Sequence, residues 1–119
     1  MLVLTRFAEA GVPSTFADDA AELLTALTSR PGFRGGKLVR STDPGGGWVL
    51  MLEWATVGDW RRAFSPFDLR LRAMEFFAHA VDEGSAYEVL VDVGADGSVL
   101  RAPSDRTGLQ RGDPPGDSL

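Results

Sequence analysis

Two tryptophans and one arginine are the residues of this chain whose types and positions could support chemistry on an aromatic compound. Trp54 ends an apolar run and Trp60 follows six residues later, which places both near a junction between a strand and a helix. Arg70 lies in the middle of an apolar arc of the next predicted helix, where a charge should not stay unpaired. A guanidinium beside two indoles would bind a flat phenolate or carboxylate by stacking and a charge-assisted hydrogen bond. We therefore expect these three side chains to line one cavity.

A purely structural interpretation of the same residues stays open. Two tryptophans near a seam between helix and sheet can simply pack in the core. Arg70 can reach solvent past the break at Ser65-Pro66, or pair with a carboxylate such as Glu88. In that case the region is a packed core and not a ligand site.

The composition excludes several other kinds of site. The chain of 119 residues has no cysteine and one histidine, so we expect no disulfide, no thiolate nucleophile and no metal. The formal net charge of −5 argues against a nucleic-acid partner. No apolar run approaches the roughly 20 residues of a membrane span, and Met1 leads into Leu2 without a basic segment. We expect a cytoplasmic protein without a membrane partner, which binds a small molecule or a second copy of itself.

The tryptophans need a scaffold, and the stretch from Trp48 to Trp54 provides its centre. Alternation gives this stretch apolar residues on both faces, except at Glu53, as in a central strand. Thr56 is then expected to cap a helix, and Asp59 three residues later adds negative charge to its first turn. The strand therefore runs directly into a helix that carries Trp60.

The remaining elements follow from hydrophobic periodicity and chain breaks. We predict a first strand over 2–7, a helix capped by Ser14 or Thr15, a weaker strand over 33–41, a short helix from Val57, a longer helix over 67–81 and a last strand over 85–93. This βαββαβ order predicts an α+β, ferredoxin-like fold: a four-stranded antiparallel sheet with both helices on one face and strands one and three in the middle. Residues 1–93 form the predicted domain.

The two helices would cover only one face of the sheet, although both central strands are apolar on both sides. The face that carries Val49 and Met51 is therefore predicted to pack on the same face of a second copy, which makes the protein a homodimer. Glu53 lies on this face, where Lys37 could pair with it or water could reach it.

The C-terminal part of the chain changes in composition. Residues 94–119 are rich in Gly, Pro, Ser, Asp and Arg, and we predict that they form a flexible tail. Within it, Asp96-Gly97 could form a turn that folds residues 98–101 back as a short extra strand or as an arm onto a second subunit.

Three motifs carry a resemblance to a known family. They are the run Arg30-Pro31-Gly32-Phe33-Arg34-Gly35-Gly36, the strand Trp48-Val49-Leu50 through Glu53-Trp54, and the helix start Val57-Gly58-Asp59-Trp60. Over roughly residues 2–92 the chain resembles the antibiotic biosynthesis monooxygenase (ABM) family, whose members are dimeric α/β barrels. Some members oxygenate polycyclic aromatic phenols to quinones without metal or flavin, others degrade heme, and many have no known activity.

For the quinone-forming members, the resemblance implies a cavity between sheet and helices. It would be lined by an Asn and a Trp of the third strand and by an aromatic residue six positions after that Trp. Trp54 and Trp60 match this pattern, whereas Leu50 stands where the Asn is expected.

For the heme-degrading members, the resemblance implies an Asn on the first strand and a Trp and a His on the second helical segment. Thr5, Ala63 and Arg72 or Ala73 stand in those places. His79 falls on a polar helix stripe, so we expect a surface histidine rather than a heme ligand.

Two hypotheses about function follow. In the first, the protein is a cofactor-independent monooxygenase of a small aromatic phenol, with Trp54, Trp60 and Arg70 as catalytic residues. Arg70 would favour the phenolate, which passes an electron to dioxygen. Substrate contacts are predicted from Thr5, Leu50, Phe64, Met74 and Phe77. In the second, the pocket only binds an aromatic metabolite or is the packed core of a dimeric accessory protein. Leu50 in place of the expected Asn favours this second hypothesis.

Overall fold

The computed structural model describes residues 1–106. Its helices are α1 (Phe16–Leu27), α2 (Val57–Arg62) and α3 (Phe67–Phe77). Its strands are β1 (Leu2–Phe7), β2 (Phe33–Arg40), β3 (Trp48–Trp54), β4 (Ser85–Tyr87), β5 (Val91–Val93) and β6 (Val99–Arg101). The chain divides into two compact units, of which the first spans Met1–Tyr87 and the second begins at Glu88.

The first unit contains a four-stranded antiparallel sheet in the order β2-β3-β1-β4. A turn over residues 42–47 joins β2 to β3 as a hairpin, and the helical connections carry the chain between the other strands. Gly45 and Gly47 permit this turn, because both have a positive φ, of 79° and 78°. The predicted α+β, ferredoxin-like fold is confirmed, with strands one and three in the middle.

Helices α1 and α3 cover one face of this sheet. Toward them β1 and β3 present Val3, Phe7, Leu50, Leu52 and Trp54, none of them more than 2% exposed. The predicted apolar stripe of α1 packs here through Phe16, Ala20, Leu23 and Leu27. Apolar burial of this extent provides the main stabilisation of the unit.

The opposite face of the sheet carries the alternate residues of the same strands. Leu2, Leu4, Val49 and Met51 are half-buried there, and Val39 and Tyr87 are exposed. The strand register places Lys37 opposite Met51, and Glu53 opposite Gly35, so that Lys37 and Glu53 lie diagonally across neighbouring strands. The predicted alternation is confirmed, and pairing of Glu53 with Lys37 stays a prediction.

The predicted end of the long helix is wrong by one turn. The helix was expected to continue to Val81, but α3 ends at Phe77. The backbone N–H of Val81 donates instead to the carbonyl of Arg6 at 2.8 Å, and Ala80 forms a bridge with Phe7. The sheet edge therefore takes the backbone groups that a longer helix would use.

The predicted last strand over 85–93 is interrupted after Tyr87. β4 pairs with β1, and Tyr87 is the partner of Leu2, which is the first residue of β1. Beyond this point β1 offers no further backbone to pair with, so a longer β4 would present unpaired N–H and C=O groups. Residues 91–93 pair with β6 instead.

The second unit contains the β5-β6 hairpin. Gly97, with φ of 86°, forms its turn, and the N–H of Gly94 donates to the carbonyl of Ser98 at 2.8 Å. Of the two possibilities for residues 98–101, a short extra strand or an arm onto a second subunit, the structure has the strand, over Val99–Arg101. The predicted flexible tail spans residues 94–119. Val99–Arg101 of this segment form β6, and residues 107–119 lie outside the described residues, so the flexibility of the tail stays a prediction. No helix within residues 1–106 is long and apolar enough to cross a membrane.

Candidate aromatic-ligand site

Five aromatic rings lie between the sheet and helices α2 and α3, and we call them the aromatic cluster: Phe33, Trp54, Trp60, Phe64 and Phe77. Ring centroids are 5.1 Å apart for Phe33 and Trp54, and 6.0 Å apart for Trp54 and Trp60. Trp60 and Phe64 follow at 5.4 Å, and Phe64 and Phe77 at 6.1 Å. The structure thus brings together two of the predicted catalytic residues and two of the predicted substrate contacts.

Trp54 is fixed at the end of β3 by backbone hydrogen bonds on both sides. Its N–H donates to the carbonyl of Met1 at 2.9 Å, and its carbonyl accepts from the N-terminal ammonium at 3.1 Å. The next N–H, of Ala55, donates to the carbonyl of Gly32 at 2.8 Å. The indole is 0% exposed and points toward the helices. Its position is therefore set by the sheet and not by a loop.

Trp60 is positioned by the start of α2. The hydroxyl of Thr56 accepts from the N–H of Asp59 at 3.0 Å, which confirms the predicted N-cap. The cap fixes the first turn, and Trp60 follows it on the side that faces Trp54. No residue of α2 is fully buried, so its attachment to the domain depends on a half-buried Trp60 and on a few hydrogen bonds.

The indole N–H of Trp54 is the notable polar group of the cluster. Its Nε1 atom is buried and has no hydrogen-bond acceptor among residues 1–106. A buried donor without an acceptor costs about 1–3 kcal/mol, and most buried polar groups in folded proteins are paired. This N–H could donate to an oxygen atom of an aromatic molecule if a neighbouring element moved, because the indole is 0% exposed in this conformation. The indole N–H of Trp48, at the other end of β3, is buried and unpaired as well.

Thr5 and Leu50 lie opposite each other on β1 and β3, on the helix-facing side of the sheet. Thr5 is 3% exposed and Leu50 is 0% exposed. A Cβ placed on Gly84 would lie 2.6 Å from the Thr5 hydroxyl oxygen, so the backbone at Gly84 closes against this hydroxyl. Both predicted substrate contacts therefore share the sheet face of Trp54, and Thr5 supplies a hydroxyl beside the apolar Leu50.

The predictions for Arg70 and Met74 are wrong. Both were expected to face inward, but Arg70 is exposed and Met74 is 63% exposed. The buried positions of α3 are Leu69, Ala73 and Phe76, at i, i+4 and i+7. Phe76 stacks on a core ring of α1 at 4.8 Å, and this contact turns Arg70 and Met74 away from the sheet. The arc of apolar residues on α3 is therefore wider than the arc of α3 residues that is buried.

The alternative interpretation of Arg70 is confirmed in one respect. The guanidinium reaches solvent and lies over the ring of Phe67 at 5.8 Å. Glu88, the suggested partner, instead accepts hydrogen bonds from the hydroxyl of Ser104 and the N–H of Asp105, which lower the pKa of its carboxyl. Arg70 has no place in the aromatic cluster.

Two residues of the cluster region were missed as functional candidates. Phe33 packs edge-on against Trp54 because the two residues are register partners. Arg30, in the connection between α1 and β2, donates from Nη2 to the carbonyl of Arg62 at 2.9 Å and to the hydroxyl of Ser65 at 3.3 Å, which ties this connection to the end of α2. Both residues belong to the run Arg30-Pro31-Gly32-Phe33-Arg34-Gly35-Gly36, and this motif was the indication in the sequence that could have identified them.

A separate groove of about 420 Å³ lies between α1 and α3. Its rim carries the predicted polar stripe, with Asp68, Arg72, Glu75 and His79, and Arg72 pairs across it with Glu22 at 3.1 Å. His79 is exposed here, as a surface histidine should be. Within residues 1–106 no group of three or more potential metal ligands comes together.

The N-terminal end of β3, at Trp48, carries charged side chains on its surface. The guanidinium of Arg40 lies over the ring of Trp48 at 4.6 Å and forms an ion pair with Glu9. The hydrogen bond from Arg40 lowers the pKa of the Glu9 carboxyl. These contacts cover the solvent side of Trp48, and Phe16 packs edge-on against its other side at 5.4 Å.

Comparison with known proteins first defines the fold class. No protein-family model matches the chain, and no curated protein matches it in sequence. Among solved structures, a dimeric protein of unknown function and ferredoxin-like fold from Bacteroides fragilis is 15% identical, with a TM-score of 0.50 over 71% of this chain and 87% of that chain. The chain therefore has the ferredoxin-like fold.

Other solved structures with a similar fold include oxygenases. SnoaB, a cofactor-independent oxygenase from Streptomyces nogalater, is 24% identical, with a TM-score of 0.60 over 75% of this chain and 94% of that chain. A protein from Nitrosomonas europaea that is named as an antibiotic biosynthesis monooxygenase is 11% identical, with a TM-score of 0.57 over 85% of this chain and 86% of that chain. The predicted resemblance to the ABM family is confirmed as a likeness of fold.

Proposed function

We propose that this protein is a cofactor-independent, monooxygenase-like protein that acts on a small aromatic phenol. The substrate would lie against the indole of Trp54, between the sheet and α2. The observation that carries the proposal is the buried N–H of this indole, which has no acceptor within the described residues and is surrounded by aromatic rings. The likeness of fold to SnoaB, a cofactor-independent oxygenase, supports oxygenation without a cofactor.

The chemistry of the cluster favours an aromatic ligand with one oxygen at its edge. Aromatic walls bind flat rings by offset or edge-to-face packing. A single N–H donor in an apolar surrounding selects an acceptor, and a phenolate oxygen is a stronger acceptor than a neutral hydroxyl. The five side chains of the cluster carry no titratable group that could act as a base, and burial disfavours ionisation, so the phenol would give its proton to water in bulk solution and enter as the phenolate. Trp54 would then hold the phenolate oxygen.

The oxygenation itself would be carried out by the bound anion. The phenolate gives one electron to dioxygen, and the resulting superoxide bonds to the ring carbon opposite the phenolate oxygen. The outer peroxide oxygen then leaves with the hydrogen of that carbon as hydroxide, and the inner oxygen becomes the second carbonyl of a quinone. Hydroxide takes up the proton that the phenol lost. The protein's part is to exclude water and orient the ring.

A second candidate function is binding without catalysis. Leu50 is 0% exposed at the place where the quinone-forming proteins are expected to have an amide. Without this amide, the site offers fewer polar contacts to fix the ring relative to dioxygen. The same aromatic cluster would then bind or sequester an aromatic metabolite in an accessory protein.

The test uses anthrone-type and naphthol-type phenols in air, without added metal or flavin. An oxygenase takes up one dioxygen for each quinone formed, and a binding protein only shows quenching of tryptophan fluorescence. Trp54→Phe removes the N–H but keeps an aromatic ring, so it should weaken binding about tenfold. Trp48→Phe makes the same change at the other end of β3 and should leave binding unaltered. Absence of both quenching and oxygen uptake would refute both functions.

We also propose that the protein is a homodimer, joined through the sheet face that carries Val49 and Met51. Within the first unit the helices pack on the other face, and Leu2, Leu4, Val49 and Met51 are left half-buried. An apolar face of this kind usually marks an interface. A twofold arrangement would bring the same residues of both copies together.

A further inference from the structure

The indole of Trp54 cannot be reached from solvent in the described conformation, because it is 0% exposed. A ligand can contact its N–H only when a neighbouring element moves. Phe33 belongs to β2, which is paired with β3 along seven register positions, so it is not free to move. Helix α2 has six residues, none of them fully buried. It is therefore the element whose displacement breaks the fewest contacts.

The N-terminal end of α2 is firmly attached. Thr56 caps it, and the N–H of Ala55 just before it is bonded to Gly32 on the neighbouring loop. The side chain of Asp59 lies so close to Gly32 that a Cβ at position 32 would overlap it, and Gly32 has φ of 79°, which favours glycine. This end can act as a pivot.

The C-terminal end of α2 is followed by the buried Ala63, and its hydrogen bonds to the rest of the unit come from one side chain, that of Arg30. Nη2 of Arg30 donates to the carbonyl of Arg62, the last residue of α2, and to the hydroxyl of Ser65 in the loop to α3. A cation at the C-terminal end of a helix also interacts favourably with its exposed carbonyl groups. Nε of Arg30 is buried and unpaired within residues 1–106. Arg30 thus makes its hydrogen bonds to both sides of the α2 terminus.

We infer that Arg30 is a positioning residue that holds α2 closed over Trp54 and sets how often the indole becomes accessible. The helix would pivot at Thr56 and open at Arg62, which moves Trp60 away from Trp54. The idea that this opening admits a substrate rests on the proposed function, whereas the opening of α2 itself does not depend on it. Arg30 acts through its hydrogen bonds to Arg62 and Ser65.

Hydrogen exchange of the tryptophan indole N–H groups, followed by ¹⁵N NMR on the full chain, tests this inference. Arg30→Met keeps much of the side-chain volume and removes its hydrogen bonds, so exchange at Trp54 should become about tenfold faster. Exchange at Trp48 should not change, because that N–H is also buried and unpaired but lies at the opposite end of β3. Arg61→Met, at an exposed arginine of the same helix, is the matched control and should leave both rates unchanged.

Equal acceleration at both tryptophans would show global destabilisation and overturn the inference, as would no change at Trp54. If Arg30→Met does not fold, Ser65→Ala removes one of the two acceptors and should accelerate Trp54 alone by a smaller factor. The association rate of a phenol should rise in Arg30→Met together with the exchange rate. Faster exchange at Trp54 without any phenol binding would support the role of Arg30 and refute the proposed function. Phenol binding with unchanged exchange at Trp54 would support the proposed function and refute the role of Arg30.

Discussion

Substitution of Gly84 by alanine should destabilise the protein through a single contact with Thr5. A Cβ at this position would lie 2.6 Å from the Thr5 hydroxyl oxygen and 3.3 Å from Cγ1 of Val3. Neither side chain can move outward, because Thr5 is 3% exposed and Val3 is 0% exposed. Thr5 is also branched at Cβ, which restricts its side-chain rotation. The backbone at Gly84 would have to shift.

The expected size of the effect follows from two opposing contributions. Overpacking of a buried site costs about 1–3 kcal/mol. Replacement of glycine by alanine at a permitted φ returns about 0.4–1 kcal/mol by reducing the entropy of the unfolded chain. The net loss should be about 1–2 kcal/mol, which corresponds to a fall in Tm of roughly 5–15 °C for a domain of this size.

Thermal and denaturant unfolding of a double-mutant cycle would measure this contact. Thr5→Ala removes the atoms that overlap, so its combination with Gly84→Ala should recover at least about 1 kcal/mol relative to additivity. Thr5→Val fills the same space as threonine and should recover nothing. Gly11→Ala is the control glycine, because a Cβ there meets its nearest atom at an ordinary 3.4 Å. Additive effects in the Thr5→Ala cycle, or an unaltered Tm for Gly84→Ala, would refute the packing argument.

Three further predictions concern other parts of the chain. Met51→Lys should give monomers or aggregates in sedimentation velocity, because it places a charge in the proposed interface; a wild-type monomer at micromolar concentration would contradict the dimer. Hydrogen bonds from Ser104 and the following backbone N–H lower the folded-state pKa of Glu88. Their stabilisation of the second unit is therefore present above the unfolded pKa and lost as pH falls through the folded pKa, which amide exchange against pH would detect. A chain that ends at Val93 should keep its Tm within a few degrees, because the buried core lies before this residue; a large drop would show that the tail contributes to folding.

Hydrophobic alternation predicted the fold because it is a strong constraint in a thin two-layer domain. The positions of β1 and β3 that face the helices are all apolar except Thr5, and a shift by one residue would expose them. Strand extent was less predictable. The end of β4 depends on where β1 begins, and periodicity within residues 85–93 contains no information about this partner.

Helix orientation explains the failure at Arg70. The sequence shows which residues of α3 are apolar, but an apolar arc wider than the contact surface fits more than one rotation of the helix. Phe76 decides the rotation, since its ring stacks on Phe16 at 4.8 Å. This contact joins residues far apart in the chain and is not visible in the periodicity of α3 alone. Trp54 and Trp60 were placed correctly together because a strand end and a capped helix leave little rotational freedom.

The two candidate functions differ in how many polar contacts they require. One N–H from Trp54 can hold a phenolate oxygen, but the ring can still rotate about that hydrogen bond. Oxygenation at one carbon needs a second fixed contact, because small misplacement of reacting atoms is costly in rate. Leu50 cannot supply it, and Thr5, opposite Leu50 in the register, is the buried polar side chain of the described core. Binding needs only the first contact, whereas selective oxygenation needs both, so the Thr5 hydroxyl is the group on which the distinction between an oxygenase and a binding protein rests.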